Sequence, residues 1–512
     1  MNFWIYTQGA KMQQKHSIAI AGGGTAGWMT ACLMAKAWPE AQISLIESPD
    51  IGIIGVGEGS TPSLKAFFQQ LNIPDSEWMS ACHATYKTNI RFINWSPASG
   101  NSSYNHPFIS QLDTFSEKAF YSNCFSRRMG LAFETSPDKF FFNSYLAKAG
   151  KAPITPAHFP FRIEYGYHFD SALLGQFLRT KALQLGVTHL PLTIVAVTQE
   201  QDGRIKELIC SDGRAVSADL FVDCTGFGSL LMQKTLAVPF QSFASNLFND
   251  TAVVLPTAAL TELPVETTAT ALSNGWAWQI PLQHRTGHGY VYSSAFISAD
   301  QAELELRTHL GLLDADVQAR QLKMKVGQLQ QHWYKNCLAV GLSQGFIEPL
   351  EATALHLVQT SVQIFIDQYQ FSAATALHQQ QYNQQISERF ERVRDYIVAH
   401  YKLNSRDDSD YWRANRANNQ LSDSLLQILD CWYRRHDLDR EIKRQQLSSH
   451  FATSSWHCLL SGYGIYPALV AVQDQLENRP DPFQDLQLEA FFSACQLNFM
   501  SQNQLLNMYP GS

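Results

Sequence analysis

The feature that most constrains the fold is a glycine motif near the start of the chain. Gly22, Gly24 and Gly27 form the pattern G-x-G-x-x-G between an apolar run at 17–21 and a helical pattern at about 28–37. Glycines at these positions allow a tight turn and let a pyrophosphate approach the N-terminus of the helix closely. The segment therefore predicts a strand, a turn and a helix that bind a dinucleotide.

An acidic residue and a second motif indicate which dinucleotide this is. Glu47 follows a second predicted strand at 42–46, and an acid at this distance accepts hydrogen bonds from the adenosine ribose. A further strand at 220–222 precedes Asp223-Cys224-Thr225-Gly226, which is typical of FAD proteins of this type. The chain has no second G-x-G-x-x-G motif for a nicotinamide nucleotide. We therefore expect FAD, reduced by a separate flavin reductase.

Charge and cysteine content exclude several classes of protein. The formal net charge is −7, and no basic stripe of the kind that binds a phosphate backbone is present, so we expect no nucleic-acid partner. The nine cysteines include no C-x-x-C pair, and no H-E-x-x-H pattern occurs, so we expect reduced thiols and no metal. The uncharged stretch 17–35 is long enough to suggest a membrane span, but three central glycines favour the strand-turn-helix interpretation. We expect a cytoplasmic enzyme with no membrane contact.

Periodicity predicts a mixed architecture. Strand patterns at 193–197, 205–209 and 220–222 suggest a sheet built from distant segments. Residues 100–165 are rich in aromatic residues, proline and asparagine, which suggests an inserted region of loops and short helices. From Glu348 the pattern becomes helical, through 355–369, 382–401 and 421–444.

We therefore predict an α/β fold with two modules. The first is a doubly wound, Rossmann-like FAD-binding module of the GR2 type, formed by residues 15–105 and 161–365. The second is a mostly α-helical substrate module, formed by residues 106–160 and 366–512.

A lysine and a glycine-dense loop are candidates for chemistry beside the cofactor. The loop 55–62 contains Gly57 and Glu58 and could lie against a flavin, although its composition alone indicates only a turn. Lys87 stands near the start of an alternating pattern that continues through Ile90 and Phe92. A lone lysine is usually a solvated surface residue, but the alternation predicts a strand that could direct this one inward.

Two later motifs suggest a wall and an anion site. Trp276 and Trp278 have strand spacing and share one face, either as core packing or as a barrier between cofactor and substrate. A helix predicted after Pro349 would leave N–H groups near Thr353 and Ala354 free to bind chloride or bromide. On this segment alone, Glu351 could equally serve to interact with the helix dipole.

Taken together, these motifs resemble the flavin-dependent tryptophan halogenases. The match covers about the first three quarters of the chain and follows the order of the family's motifs. The matching segments are GGGTAGWMTA (22–31), GVGEGSTPSL (55–64), Tyr86-Lys87, FINW (92–95), His106-Pro107-Phe108, GYHFD (166–170), DLFVDCTGF (219–227), WAWQIP (276–281) and EPLEATAL (348–355).

The resemblance implies a chemistry of two steps. Reduced FAD and O₂ convert a halide to hypohalous acid, which passes through a tunnel to an aromatic substrate. Lys87 would receive this oxidant or hydrogen-bond it, and Glu351 would polarise the electrophile and take the proton from the ring, as a general base. Thr353 and Ala354 match the halide-binding amides, although the family usually has Ser-Thr-Gly where this chain has Ala-Thr-Ala at 352–354. That exchange is tolerated if residue 354 needs no positive φ.

The resemblance also assigns the remaining site residues. His106 and Phe108 match residues that line the aromatic ring, which Glu351 also contacts, and Trp276 and Trp278 would keep flavin and substrate apart. The residues expected to bind FAD are Gly22, Gly24, Thr25, Ala26, Gly27, Glu47, Gly57, Glu58, Asp223, Gly341 and Leu355.

The C-terminal quarter departs from the family pattern. Halogenases of free tryptophan carry there a Tyr-Tyr pair, a glutamate and a Phe-Trp that hold the amino acid's charged groups, and the segment upstream of Ser455-Trp456 has no equivalent. Free tryptophan, a bare indole, another electron-rich aromatic and a carrier- or peptide-bound residue all stay open as substrates, as does a homodimer. The alternative function is an FAD-dependent aromatic monooxygenase that hydroxylates its substrate. A non-catalytic FAD-binding protein is the third possibility.

Overall fold

The structure of the protein is a computed structural model that describes residues 16–50, 52, 57–369, 375–449, 451–467 and 481–510. The first two residues of the predicted loop 55–62, Gly55 and Val56, lie outside the described residues.

The strands are short and come from all parts of the first two thirds of the chain. In chain order they are β1 Ser17–Ala21, β2 Gln42–Ile46, β3 Glu58–Gly59, β4 Thr85–Lys87, β5 Asn89–Ile93, β6 Ser103–Pro107, β7 Gly166–Phe169, β8 Thr188–Leu190, β9 Ile194–Gln199, β10 Ile205–Cys210, β11 Ala215–Ser217, β12 Leu220–Asp223, β13 Phe240–Ser242, β14 Thr251–Ala258, β15 Glu266–Leu272, β16 Gly275–Pro281, β17 Arg285–Tyr292, β18 Arg320–Lys323, β19 Gly327–Leu329, β20 Trp333–Tyr334, β21 Cys337–Ala339 and β22 Gly345–Phe346.

The helices dominate the last third. They are α1 Thr25–Ala37, α2 Ser63–Gln70, α3 Asp75–Ala81, α4 Thr114–Arg128, α5 Pro137–Phe140, α6 Phe142–Lys148, α7 Ser171–Gln184, α8 Ala299–Leu310, α9 Ala354–Gln368, α10 Ala376–Leu403, α11 Asp410–Ala417, α12 Asp423–Tyr433, α13 Leu438–Arg444, α14 Thr453–Gly462, α15 Pro482–Asp485, α16 Leu488–Cys495 and α17 Gln502–Leu506.

A six-stranded sheet with the order β20-β21-β12-β1-β2-β8 forms the centre of the predicted cofactor module. Its strands run parallel except for β20 at the edge. Alternate residues of β1 face opposite sides: Ile18 and Ile20 join the core that includes α1, whereas Ala19 and Ala21 join the core beneath β9–β11. This arrangement confirms the predicted α/β, Rossmann-like fold assembled from distant segments.

A second, seven-stranded sheet carries the candidate chemistry. Its order is β18-β14-β17-β16-β15-β5-β6, and it is antiparallel except where β5 pairs with β15. A small sheet, β3-β7-β4, adjoins it because β4 and β5 follow each other directly in the chain. Residues at the β4–β5 junction therefore lie where the two sheets meet.

Three predictions about local structure are corrected. The region 100–165 contains strand β6 and the 15-residue helix α4 in addition to loops and short helices. The helical pattern at 421–444 forms two helices, α12 and α13, because Arg435 takes a positive φ of 62° and Asp437 caps a new helix. The strands at 194–199 and 205–210 pair with each other, and the second also pairs with β11, so they form a separate sheet rather than joining the parallel one.

The division into two modules stays a prediction. Strand β6 crosses the proposed boundary at residue 105 and pairs with β5, and one continuous apolar core includes residues of both modules. All nine cysteines are free thiols. Among the described residues, no helix combines the length and apolar character needed to cross a bilayer.

Candidate active site

The glycine turn after β1 has the shape that a pyrophosphate requires. A side chain on Gly22, whose φ is +109°, would overlap the carbonyl oxygen of Cys224, and one on Gly27 would overlap the carbonyl oxygen of Gly22. Gly24 faces open space instead, and α1 begins after it with no side-chain cap. The first N–H groups of α1, around Thr25 and Ala26, are therefore available to an anionic ligand, and the turn fits a dinucleotide.

Two further predicted residues lie beside this turn. The carboxylate of Glu47 packs against the backbone of Gly23, in the space that a side chain there would take. Gly341, with a φ of +72°, lies against Ala26, and a side chain at Gly341 would come within 2.8 Å of the Ala26 methyl group. Leu355 is buried in the first turn of α9.

The side chain of Asp223 is buried and bonds to the loop that follows β12. Its side chain is fully buried, and its Oδ2 accepts hydrogen bonds from the backbone N–H groups of Leu231 and Met232, at 2.9 and 2.8 Å. Its Oδ1 accepts from the N–H and the hydroxyl of Thr225, at 3.0 and 2.6 Å. These four bonds fix the loop that follows β12, so Asp223 is suited to position that loop rather than to contact a ligand with its side chain.

Glu58 begins β3, the strand that pairs with the GYHFD segment, and Gly57 directly precedes this strand. Gly57 takes a positive φ of 79°, and Glu58 pairs with Phe169 in the β3–β7 ladder. Burial raises the pKa of the Glu58 carboxyl to about 7, and the nearby charge of Asp170 acts in the same direction.

Lys87 is a fully buried amine at the end of β4. Its Nζ makes no hydrogen bond within the part of the chain that the structure describes, and it lies 5.6 Å from the ring centre of Phe108. Burial lowers the pKa of Lys87 to about 7, although the charge of Glu351 acts in the opposite direction. A buried polar group without a partner is costly, and a ligand that accepts a hydrogen bond from this amine would offset the cost.

Glu351 is the second buried charge of the site. It ends the 3-10 turn Pro349–Glu351, and only 4% of it is exposed. His106 Nδ1 lies 2.9 Å from its Oε2, and His400 Nε2 lies 3.0 Å from its Oε1. Burial opposes ionisation of this carboxyl, but the two histidines outweigh burial and lower its pKa to about 2. Glu351 is therefore held as a carboxylate.

The two histidines continue into the helical region. His106 Nε2 lies 3.0 Å from the hydroxyl of Ser455 on α14, and His400 Nδ1 lies 2.9 Å from the hydroxyl of Tyr463. Phe92 stacks on His400 with ring centres 4.8 Å apart. Residues from β6 and α10 thus meet at one carboxylate, and α14 contacts the residue from β6.

The two tryptophans lie on one face of β16, as predicted. Trp276 and Trp278 both join the large core with ring centres 6.1 Å apart, and Ala277 between them faces a different core. The indole N–H of Trp276 donates to Oε2 of the buried Glu348 at 3.1 Å. Trp278 fits because its partner across the ladder is Gly289, where any side chain would overlap the indole ring.

Thr353 and Ala354 occupy the start of α9. Thr353 is the N-cap residue, its hydroxyl makes no capping bond, and Ala354 is the first helical residue. The positive φ of this segment, 56°, falls on Ala352 instead. Ala354 therefore needs no glycine, and the first N–H groups of α9 are without intrahelical partners.

The structure brings Lys87, Glu351, His106 and Phe108 together and adds groups that the sequence did not single out. His400 contacts Glu351 from 49 residues away and carries no motif that marks it. Glu348 stands three residues before Glu351 in the segment EPLEATAL, and the sequence alone predicts no role for it. Ser455 and the buried pair His168 and Thr267 also surround the site.

Comparison with known proteins identifies the family. The tryptophan halogenase family model matches residues 17–477. The chain is 34% identical over 452 residues to a 7-chloro-L-tryptophan 6-halogenase from Kutzneria sp., covering 81% of this chain and 84% of that protein. It is 32% identical to a tryptophan 7-halogenase from Lentzea aerocolonigenes, covering 88% and 90%.

Solved structures of halogenases also match the fold of this chain. The crystal structure of a tryptophan 6-halogenase from Streptomyces toxytricini superposes with a TM-score of 0.85 at 29% identity, covering 97% of this chain and all of that one. A flavin-dependent halogenase from taromycin biosynthesis superposes with a TM-score of 0.83 at 30% identity, covering 96% and 99%. The chain belongs to the tryptophan halogenase family. It is an enzyme of the flavin-dependent halogenase class.

Proposed function

We propose that the protein halogenates an indole-type aromatic with hypohalous acid, and that Lys87 and Glu351 are its catalytic pair. The observation that carries this proposal is a buried amine that has no hydrogen-bond partner among the described residues, beside a carboxylate that two histidines keep ionised. When bound, reduced FAD supplies electrons to O₂, and the reaction with chloride or bromide yields hypohalous acid, water and oxidised FAD. We further propose that a separate reductase provides the reduced flavin.

The residues around the glycine turn are proposed to hold FAD. The N–H groups at the start of α1 would bind the pyrophosphate, and Glu47 would bind the ribose hydroxyls. Asp223 would act indirectly, by fixing the loop after β12. Thr353 and Ala354 would bind the halide through backbone N–H groups at the start of α9.

Lys87 and Glu351 are proposed to divide the work at the substrate. Lys87 donates a hydrogen bond to the oxygen of hypohalous acid and so turns the halogen toward the ring. Glu351 takes the proton from the halogenated ring carbon, and His106 and His400 keep it ready to do so by favouring its ionised form. The face of Phe108 lies over Lys87 and can pack on the aromatic ring.

The wall of Trp276 and Trp278 supports halogenation over hydroxylation. Both rings are buried side by side. In the position that the family resemblance implies, between flavin and substrate, they would block a direct transfer of oxygen. The alternative monooxygenase function is therefore disfavoured.

We propose that the substrate is an indole without amino-acid charges. The segment 451–467, which includes α14 and contacts His106 through Ser455, contains no lysine, arginine, aspartate or glutamate. Its one histidine, His457, has a pKa lowered to about 4, chiefly by burial, and is neutral at pH 7. This surface offers no ionic partner to an ammonium or a carboxylate group.

The direct test uses purified protein with a flavin reductase, FAD, NADH, O₂ and chloride or bromide. Free tryptophan, indole, simple phenols and a tryptophan-containing peptide are offered separately, and mass spectrometry detects the halogen isotope pattern. Halogenated indole with little or no halogenated tryptophan is the expected result. Equal rates with free tryptophan would refute the uncharged substrate, and oxygenated products alone would refute halogenation.

Gly24→Ala is expected to weaken FAD binding by about tenfold or more, because its methyl group enters the open space above the first N–H groups of α1. The unfolding temperature should stay unchanged. Gly22→Ala is the contrast: its methyl group overlaps the Cys224 carbonyl and should lower the unfolding temperature itself. Fluorescence titration with FAD and thermal unfolding measure the two effects. Wild-type FAD affinity in Gly24→Ala would contradict the proposed cradle.

Gly289→Ala is expected to displace Trp278, because the added methyl group overlaps the indole ring. Overpacking of this kind costs about 1–3 kcal/mol of stability. The ratio of oxygenated to halogenated product should rise, and Trp278→Phe, which shrinks the ring without the overlap, should raise it too. Product ratios that stay at the wild-type value in both variants would show that Trp278 does not separate flavin and substrate.

The pH profile should reflect both charged groups. Lys87 has a pKa of about 7 and Glu351 one of about 2, so the ammonium and the carboxylate coexist below pH 7. We expect kcat to fall as the pH rises through about 7, because deprotonated Lys87 can no longer supply a proton to the departing oxygen. Steady-state rates with bromide from pH 5 to 9 test this. A rate that increases steadily across this range would indicate that the neutral amine is the active form.

A further inference from the structure

The space beside Lys87 is lined by a second set of polar groups. A methyl group built on Gly59 would lie 3.3 Å from Lys87 Nζ, 3.4 Å from the hydroxyl oxygen of Thr267 and 3.7 Å from the ring of His168. Because Gly59 has no side chain, Lys87 Nζ and the Thr267 hydroxyl can both lie close to its backbone, beside each other. Thr267 and His168 are buried and belong to strands β15 and β7.

A chain of hydrogen bonds leads from Thr267 through His168 and Thr85 to Pro281, and the donor of each bond in it can be assigned. The Thr85 hydroxyl donates its single proton to the carbonyl oxygen of Pro281, at 2.8 Å. Its oxygen can therefore only accept from His168 Nδ1, 2.9 Å away, so this nitrogen carries the proton. Burial, with the charge of Lys87 acting in the same direction, lowers the pKa of His168 well below its usual value, and the ring is neutral.

This order determines what Thr267 can do. Nε2 of the neutral His168 has a lone pair and accepts the proton of the Thr267 hydroxyl, 2.8 Å away. The only proton of Thr267 is thereby committed. Toward Lys87, the Thr267 oxygen presents lone pairs alone. The protonated Lys87 amine, which has no partner in the described part of the chain, presents N–H groups alone.

A molecule with one O–H group satisfies both sides. We propose that Thr267 is a second anchor for hypohalous acid. The Thr267 oxygen accepts a hydrogen bond from the O–H group of the acid, while Lys87 donates a hydrogen bond to the oxygen of the acid. The O–H bond then points to the sheet, and the halogen points away from it toward the substrate. His168 is a positioning residue, since it holds the Thr267 proton. This inference rests on the proposed halogenation and adds a contact to it.

Transfer of the halogen to the ring requires one proton donor and one proton acceptor. The bond between halogen and oxygen breaks as the bond between halogen and ring carbon forms, and the electron pair goes to the oxygen. The Lys87 ammonium gives this oxygen a proton, so that it leaves as water hydrogen-bonded to Thr267. The ring carbon then gives its proton to Glu351. The net result is one proton moved from Lys87 to Glu351, with no further oxidant or reductant.

The first experiment compares Thr267→Val with Thr267→Ser. Valine keeps the shape and loses the oxygen, whereas serine keeps the hydroxyl. We expect Thr267→Val to lower the halogenated product per flavin oxidised by roughly tenfold and to release more free hypohalous acid to a trapping dye, while Thr267→Ser retains most of the wild-type yield. His168→Phe, which removes the acceptor of the Thr267 proton, should lower the yield by a smaller factor.

The second experiment does not depend on turnover. A crystal structure of the flavin-free wild type should show an ordered water within hydrogen-bond distance of both Lys87 Nζ and Thr267 Oγ1, in the place of the acid's oxygen, and Thr267→Val should lack it. A wild-type yield in Thr267→Val, or a direct bond from Lys87 to Thr267 with no water between them, would overturn the proposal. A wild type that makes no halogenated product at all would instead refute the proposed function, and this inference with it.

Discussion

Replacement of Lys87 by methionine is expected to lower halogenated product by at least about a hundredfold while FAD binding stays at the wild-type level. Methionine fills a similar volume but cannot donate to the oxygen of hypohalous acid or give it a proton, and proton transfer of this kind contributes about 10²–10⁴-fold. Because Lys87 Nζ is buried and has no hydrogen-bond partner in the described segments, its removal should also leave the protein as stable as before or more so. Product is measured by mass spectrometry, and stability by thermal unfolding.

The matched control is Lys148→Met, which changes an exposed lysine at the end of α6. It should leave product formation unchanged. In Lys87→Met, oxidation of the flavin should continue, and hypohalous acid should escape to a trapping dye. Product at the wild-type rate in this variant would remove Lys87 from the mechanism, and loss of FAD binding would indicate a structural role instead.

Replacement of Glu351 by glutamine is expected to lower kcat by about 10²–10⁴-fold. The amide keeps the size of the carboxyl and one acceptor oxygen for a histidine, but it cannot take the ring proton. It also removes the charge that His106 and His400 hold in place. The substrate Kd should change far less than kcat, because the shape of the site is preserved. Rapid-quench measurement of a single turnover separates the two effects.

Glu348→Gln is the contrast for this variant. Glu348 is equally buried and lies three residues earlier, but burial raises its pKa, and it serves as the acceptor for the indole N–H of Trp276. A glutamine oxygen can accept the same bond, so we expect less than about a tenfold loss. Equal losses in both variants would mean that Glu351 matters for packing rather than for proton transfer.

The sequence predicted those features that short-range patterns determine. The glycines at 22, 24 and 27 predicted the turn, and the structure confirms the strand and helix around it. A side chain at Gly22 would overlap the Cys224 carbonyl and one at Gly27 the Gly22 carbonyl, whereas Gly24 faces open space. The alternation after Lys87 and the spacing of the two tryptophans predicted strands, which β4, β5 and β16 confirm. Each of these patterns repeats with the period of one element.

The parts that escaped prediction depend on contacts between distant segments. His400 reaches Glu351 from the middle of the long helix α10, where nothing in the local sequence distinguishes it from a core residue. Likewise, the order of hydrogen bonds from Thr267 through His168 and Thr85 to Pro281 joins four strands. The break at Arg435 was missed because the amphipathic pattern continues across it while the backbone does not.

The central claim is that the oxidant reaches the substrate as hypohalous acid guided by Lys87 and Glu351, and not as oxygen transferred from the flavin. The most direct test is the reaction of the wild-type protein with indole, bromide, a flavin reductase and ¹⁸O₂, analysed by mass spectrometry. Our account predicts bromoindole with no ¹⁸O in the product. A hydroxylated indole that carries ¹⁸O as the main product would contradict it.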